Sequence, residues 1–154
     1  MRATLIPPPL VAAAVAASMW GVDALLPVAR LLPPGRTWFA GALLAAGLWL
    51  MLAAVWRLRR AGTTVDPFRP ERASCLVTDG VFARSRNPVY LGDVLLLAAW
   101  AVWLGNLVAL PLPALFVAWM ERWQIPAEEA ALRARFGPRY AAYRARVRRW
   151  FGRR

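Results

Sequence analysis

A chain of 154 residues that is 60% hydrophobic, carries nine Trp and has a positive mean hydropathy (+0.42) has the composition of a membrane protein. Its formal charge of +12 comes wholly from arginine, since all 20 basic residues are Arg, and they fall outside the apolar segments; that distribution suits orientation and headgroup contact rather than a nucleic-acid groove. A single cysteine, Cys75, excludes an internal disulfide, and the absence of histidine removes the usual imidazole base and metal ligand, so no metal site is expected.

In chain order, Arg2 precedes an Ala-rich apolar stretch, Leu10 to Met19, that has the outline of a signal peptide. Pro7 to Pro9 sit where a helix can begin, however, and apolar character resumes after Gly21 with Ala24, Leu25 and Leu26, so a retained first spanning helix is expected, with Asp23 at its far interface. The second, Trp38 to Trp56, has no charge in 19 residues and an indole at each end. A third run spans Val89 to Leu104 and a fourth Leu107 to Met120, separated only by Gly105 and Asn106; they are expected to form a tight antiparallel hairpin, each short for a full crossing at ~1.5 Å of rise per residue. Pro111 and Pro113 are expected to kink the fourth helix near its start. The expected fold is an all-α integral membrane protein with about four transmembrane helices and cytoplasmic C-terminal helices.

Arginine placement orients it. Seven arginines lie between 57 and 86 and ten from 122 onward, against Arg30 and Arg36 alone between the first two helices and none between the third and fourth. Both termini and the 57–88 connection are therefore expected on the cytoplasmic side. The chain reads as one domain, 1–154, with an N-terminal transmembrane helix pair in 1–60 and a catalytic part in 61–154. The lysine-free, Ala- and Arg-rich composition points to the inner membrane of a high-GC bacterium.

Two polar elements then share the cytoplasmic face. The connection "TTVDPFRPERASCLVTDGVFARSRNPVY" has turn signals at Asp66-Pro67 and Asp79-Gly80 and a short extended piece, Cys75 to Thr78. The later "ERWQIPAEEAALRARFGPRY" suits a helix with Pro126 in its first turn, Glu128 and Glu129 following, and Gly137-Pro138 ending it. Tyr140, Tyr143, Val147 and Trp150 recur at three- and four-residue spacing among arginines, which is the pattern of an amphipathic helix on a membrane surface. Each feature also has a plainer explanation. First-turn glutamates complement the helix dipole by roughly 0.3–1 kcal/mol; Arg84 and Arg86 anchor the third helix; Tyr90 packs; Cys75 is a small inert hydrophobe. Asp93, one turn into an apolar helix, is costly there and so points to function or to pairing with an arginine.

Taken in order, "LVTDGVFARSRNPVYLG" followed after a hairpin by "AEEAALRARFGPRYAAYRARVRRW" resembles the isoprenylcysteine carboxyl methyltransferase family, and with it the phospholipid N-methyltransferases that share the paired glutamates. The resemblance covers residues 63–150. It implies a cytoplasm-facing S-adenosyl-L-methionine pocket with a lipid-side opening for a hydrophobic substrate. Carried across residue by residue, it assigns Ser74, Cys75, Leu76, Val77 and Phe82 to the cofactor, with Asn87, Pro88, Val89 and Tyr90 standing for the family's His-Pro-x-Tyr and Glu128, with Glu129, for the cofactor-binding glutamate. Asn87 replaces a histidine, which removes proton transfer there. Gln124 replaces an arginine that engages the substrate, and Arg122 is not at the same helical position; with Asp93 these form the candidate substrate side.

Methyl transfer from a sulfonium is an in-line displacement, so the site mainly aligns the reactants and excludes water. A carboxylate acceptor is ionised at neutral pH and needs no general base, whereas an amine must first lose a proton. A lipophilic carboxylate is thus the expected acceptor, held by Arg84 or Arg86 through bidentate hydrogen bonds beside Tyr90. Amine or thiol methylation, a nicotinamide-dependent membrane reductase and a non-catalytic membrane protein remain the alternatives. The reductase lacks a Gly-x-Gly-x-x-Gly signature here.

Overall fold

The structure, a computed structural model, describes residues 6–27, 30, 33–64 and 73–153. The expected Asp66-Pro67 turn and the arginines at 2, 69, 72 and 154 lie outside the described residues. The helices are α1 (Pro8–Leu25), α2 (Arg36–Arg60), α3 (Pro88–Leu104), α4 (Pro113–Trp119), α5 (Ile125–Phe136) and α6 (Pro138–Arg146), with a 3-10 turn at Gly80–Ala83 and a π-helical turn at Met120–Gln124. There is no named strand among the described residues. Prolines open α1, α3, α4 and α6, where their fixed φ suits a helix and the missing N–H removes no intrahelical bond. Gly105 closes α3 at φ 66°, a left-handed cap that glycine adopts without a Cβ penalty.

α1 and α2 are long and apolar enough to cross a membrane, and α3 is a shorter apolar helix. α2 leaves Trp49, Leu52 and Trp56 exposed and Trp38 84% exposed, an apolar surface that water alone would not stabilise. Its other face meets α3 at two glycines. A Cβ at Gly92 would stand 2.3 Å from Met51 Cγ and 3.0 Å from the Gly47 carbonyl oxygen, so the two backbones approach as closely as they do because neither residue has a side chain. Gly92→Val is expected to destabilise the protein by about 1–3 kcal/mol, the usual cost of overpacking, while Gly41→Val, at a position with nothing within 4 Å, should cost far less. Thermal unfolding in detergent reads both; equal melting temperatures would show that the glycine contact does not set the helix spacing.

Three expectations are corrected. The fourth helix begins at Pro113 rather than Leu107, because the buried Asn106 organises residues 106–112 as a series of turns. Its Nδ2 donates to Leu26 O at 2.9 Å and to Asp23 Oδ1 at 3.2 Å, and its Oδ1 accepts the Val108 N–H at 2.9 Å. Pro113 accordingly starts the helix instead of kinking it, and Asp23, in the last turn of α1, is clamped by Arg30 at 2.7 and 2.9 Å. Second, Pro126 lies in the first turn of α5, as expected, but no loop sets that helix apart from the one before it. α4, the π-helical turn and α5 abut, and the Ile125 N–H reaches back to Met120 O; this wider turn accommodates a proline that has no N–H and whose ring crowds the preceding turn. Third, the aromatic stripe of α6 is not free to lie on a membrane. Tyr140 (2% exposed), Tyr143 and Val147 pack with Phe82 and Ala54 in a core of their own, and the helix stops at Arg146. A second core joins Val15 and Met19 of α1, Leu97 and Ala101 of α3 and Phe116 of α4.

Candidate functional site

The connection after α2 is pinned from both sides. Thr63 Oγ1 accepts the Ser74 N–H at 3.0 Å, Ser74 Oγ donates to Gly62 O at 2.8 Å and Cys75 Sγ to Ala61 O at 3.3 Å, which ties residues 74–75 to the end of α2. Arg57 forms an ion pair with Asp79 at the turn into Gly80–Ala83, and holds that carboxyl below its usual range. From the other side, Tyr143 Oη donates to Phe82 O at 2.8 Å, Asn87 Nδ2 to Arg149 O at 3.0 Å and the Arg86 N–H to Arg148 O at 3.1 Å.

These ties bound a cavity of about 440 Å³. Cys75, Leu76, Val77 and Phe82 of the connection line it, as do Asn87, Pro88, Val89, Tyr90 and Asp93 at the start of α3. Glu128 and Glu129 of α5 and Met51, Val55, Leu58 and Arg59 of α2 also line it. Every residue assigned to the cofactor from the sequence is therefore on this wall except Ser74, which is exposed and spends its polar groups on the end of α2.

The two glutamates have different environments. Tyr90 Oη donates to Glu128 Oε1, and Gln124 Nε2 donates to the same oxygen at 2.6 Å, leaving Oε2 without a protein partner among the described residues. Burial, together with the neighbouring Glu129 charge, outweighs those two hydrogen bonds and pushes the Glu128 carboxyl up to about 7. Glu129 is instead closed off: Arg86 Nη1 meets Oε1 at 2.9 Å, and Arg149 reaches the two oxygens at 3.1 and 3.2 Å. The dipole role expected of first-turn glutamates does not arise, because the helix continues unbroken on their N-terminal side.

The candidate substrate and catalytic residues divide in the same way. Gln124 is fully buried and serves Glu128. Asp93 lines the cavity. Arg122 is exposed and lines no part of it, and Arg84 is exposed beside Phe151 and Arg153, outside the cavity altogether. Arg86 does line the cavity, but its guanidinium neutralises Glu129. Sequence reasoning missed the α2 wall, because Met51, Val55 and Leu58 look like any lipid-facing residues, and missed Arg149, which is hidden in an arginine run. Tyr140 and Tyr143 carried a signal in their spacing that pointed to the wrong partner.

The class this defines is a helical protein with spanning-length apolar helices and, where its polar connections gather, a ligand-sized cavity whose wall is part apolar and part acidic. The phospholipid methyltransferase family model matches residues 35–139, more than half of the chain, and the chain belongs to that family. This is the family of the isoprenylcysteine carboxyl methyltransferase-like proteins, so the resemblance read from the motifs holds. Membership implies a membrane methyltransferase that uses S-adenosylmethionine. An uncharacterized protein of Haemophilus influenzae is 40% identical over 62 residues, covering 40% of this chain and 98% of that relative. No solved structure matches.

Proposed function

We propose that the chain is an integral membrane enzyme with four crossings and cytoplasmic termini, that 1–60 supplies a helix pair and 61–154 most of the catalytic part, and that it methylates the amine of a lipophilic acceptor. The observation that carries this reading is the shared cavity: a carboxylate with one oxygen unpartnered among the described residues, Glu128, lines it together with Phe82, Val77 and Tyr90, while α2 adds an apolar side. S-adenosylmethionine supplies an electrophilic methyl group on a sulfonium. The residues fit it, since the volume of about 440 Å³ is within the range of small-molecule sites, Glu128 matches an ammonium, and Phe82 and Tyr90 offer aromatic faces. Leu76 and Val77, held against the end of α2, keep water from the reacting centre.

Amine rather than carboxylate is favoured by the charges. The carboxylate acceptor expected from the sequence relied on Arg84 and Arg86, and the first is outside the cavity while the second is committed to Glu129. One observation supports the carboxylate reading: Arg59 lines the cavity, is exposed and has no acidic partner among the described residues. A single assay separates the two. Membranes containing the protein are given methyl-labelled donor and matched long-chain amines, carboxylates and thiols; label is expected in the amine. Label confined to the carboxylate would transfer the acceptor role to Arg59, and a protein that binds NADPH but not S-adenosylmethionine would not be a methyltransferase at all.

A further inference from the structure

Among the described residues, Asp93 is the carboxylate that nothing in the fold accounts for. Among the described residues every other one has a partner: Asp23 has Arg30, Asp79 has Arg57, Glu121 has the Trp150 indole, Glu128 has Tyr90 and Gln124, and Glu129 has two arginines. Asp93 is 9% exposed, has no hydrogen bond or ion pair among the described residues, and lines the cavity one turn along α3 from Tyr90. Its oxygens are not sealed in the core either, since the side-chain atoms that are buried without a partner among the described residues are Arg86 Nε and Gln124 Oε1. An isolated ionisable group inside an apolar helix costs free energy and is retained where it serves a ligand. A role in helix packing does not explain it, because the α2 contact is made by Gly92 beside it.

We propose that Asp93 binds the acceptor's ammonium group and takes a proton from it. The inference rests on the amine reading above. A protonated amine gives one proton to an Asp93 oxygen; its freed lone pair forms the new N–C bond as the bond from methyl carbon to the donor sulfonium breaks, sulfur keeping that electron pair. The product is a methylated ammonium, and Asp93 passes its proton on to water before the next turnover, one proton per methyl group. The remaining charged or titratable groups around the cavity leave this role open. Tyr90 on α3 donates its hydroxyl to Glu128 on α5, which is hydrogen-bonded through Oε1 and assigned to the donor, and Glu129 is neutralised by Arg86. Arg59 on α2 is a cation and takes no proton. On α6, Tyr143 donates its hydroxyl to Phe82 O and Tyr140 lies beside Arg86, while Cys75 in the connection donates to Ala61 O.

The test uses the full chain in phosphatidylcholine nanodiscs, with phosphatidylethanolamine and dodecylamine as acceptors. Asp93→Asn is expected to bind S-adenosylmethionine within about threefold of the wild type by calorimetry. It is expected to lose on the order of 100-fold or more in amine methylation at pH 7, the scale of general-base catalysis. Its rate should then climb about tenfold per pH unit between pH 7 and 9, because an amine whose pKa is near that of lysine, about 10.4, must supply its own free base; the wild type should be flat there. Without donor, the variant should bind dodecylamine at least about tenfold more weakly and dodecanol unchanged. Asp93→Glu, which keeps the charge, should recover part of the rate. A variant that methylates at the wild-type rate, or one whose deficit is the same at every pH, overturns the role of Asp93 alone. A wild type that methylates neither amine overturns the amine reading and this proposal with it.

Discussion

Glu128→Gln should lower S-adenosylmethionine affinity by roughly 30- to 4,000-fold, equivalent to about 2–5 kcal/mol for removing one member of a buried, hydrogen-bonded charge pair, while the protein stays folded. The amide keeps an oxygen for Tyr90 and Gln124, which both donate to Glu128 Oε1, so neither buried donor is stranded. Glu128→Ala should abolish donor binding too, at the further cost of about 1–3 kcal/mol for leaving those donors unpaired. Acidity gives the same assignment an independent check. Burial raises the Glu128 carboxyl from its ordinary 4.5 to about 7. A cationic donor binds the ionised form, so wild-type affinity should fall about tenfold per pH unit below about 7 and level off above it. Stability should run the opposite way: between about 4.5 and 7 the folded protein holds a proton that the unfolded chain releases, so this group's contribution declines as pH rises through that window. Calorimetric titration across pH 5.5–8 measures the first and thermal unfolding the second. The Gln variant should bind with an affinity that is flat across that range and should lack this group's share of the stability trend. A variant with wild-type affinity would remove Glu128 from the donor site.

Much of this site could be read from the order of residues in the chain, and the parts that could not share a physical cause. Turn signals and proline positions located the connection and the start of α3, because those residue types fix local backbone geometry whatever surrounds them. The paired glutamates were visible as a pair but not as two different groups, since only tertiary contacts decide that Arg86 and Arg149 close on Glu129 while Tyr90 and Gln124 leave one oxygen of Glu128 open. The α6 stripe shows the same limit. Apolar periodicity reports that one face is covered, not what covers it, and Tyr140 and Tyr143 are covered by the connection rather than by lipid. Local patterns also hid the turn around Asn106, where one buried side chain outweighs the helical preference of Leu107 to Leu110.

Removing the other glutamate should produce the reverse phenotype. Glu129→Ala leaves the Arg86 side chain, 4% exposed, as an uncompensated buried cation, a change that typically costs 3–5 kcal/mol, so about that much stability should be lost. The loss should spread along the chain. Arg149 is released from α5, and with it the C-terminal segment that accepts the Arg86 N–H at Arg148 O and donates from the Gly152 N–H to Arg84 O at 2.7 Å. Donor affinity should then fall because the 85–90 wall loosens, not because a ligand contact is missing, and the affinity that remains should keep the pH dependence of Glu128. Arg86→Met placed on Glu129→Ala removes the stranded cation as well, and the pair should be more stable than Glu129→Ala alone even though it carries one more substitution. Chemical unfolding of the four proteins in one detergent gives the coupling directly. If Glu129→Ala unfolds with the wild type, or if Arg86→Met adds its full cost on top, the ion pair does not hold the connection, and the difference between the two glutamates must lie in the ligand instead.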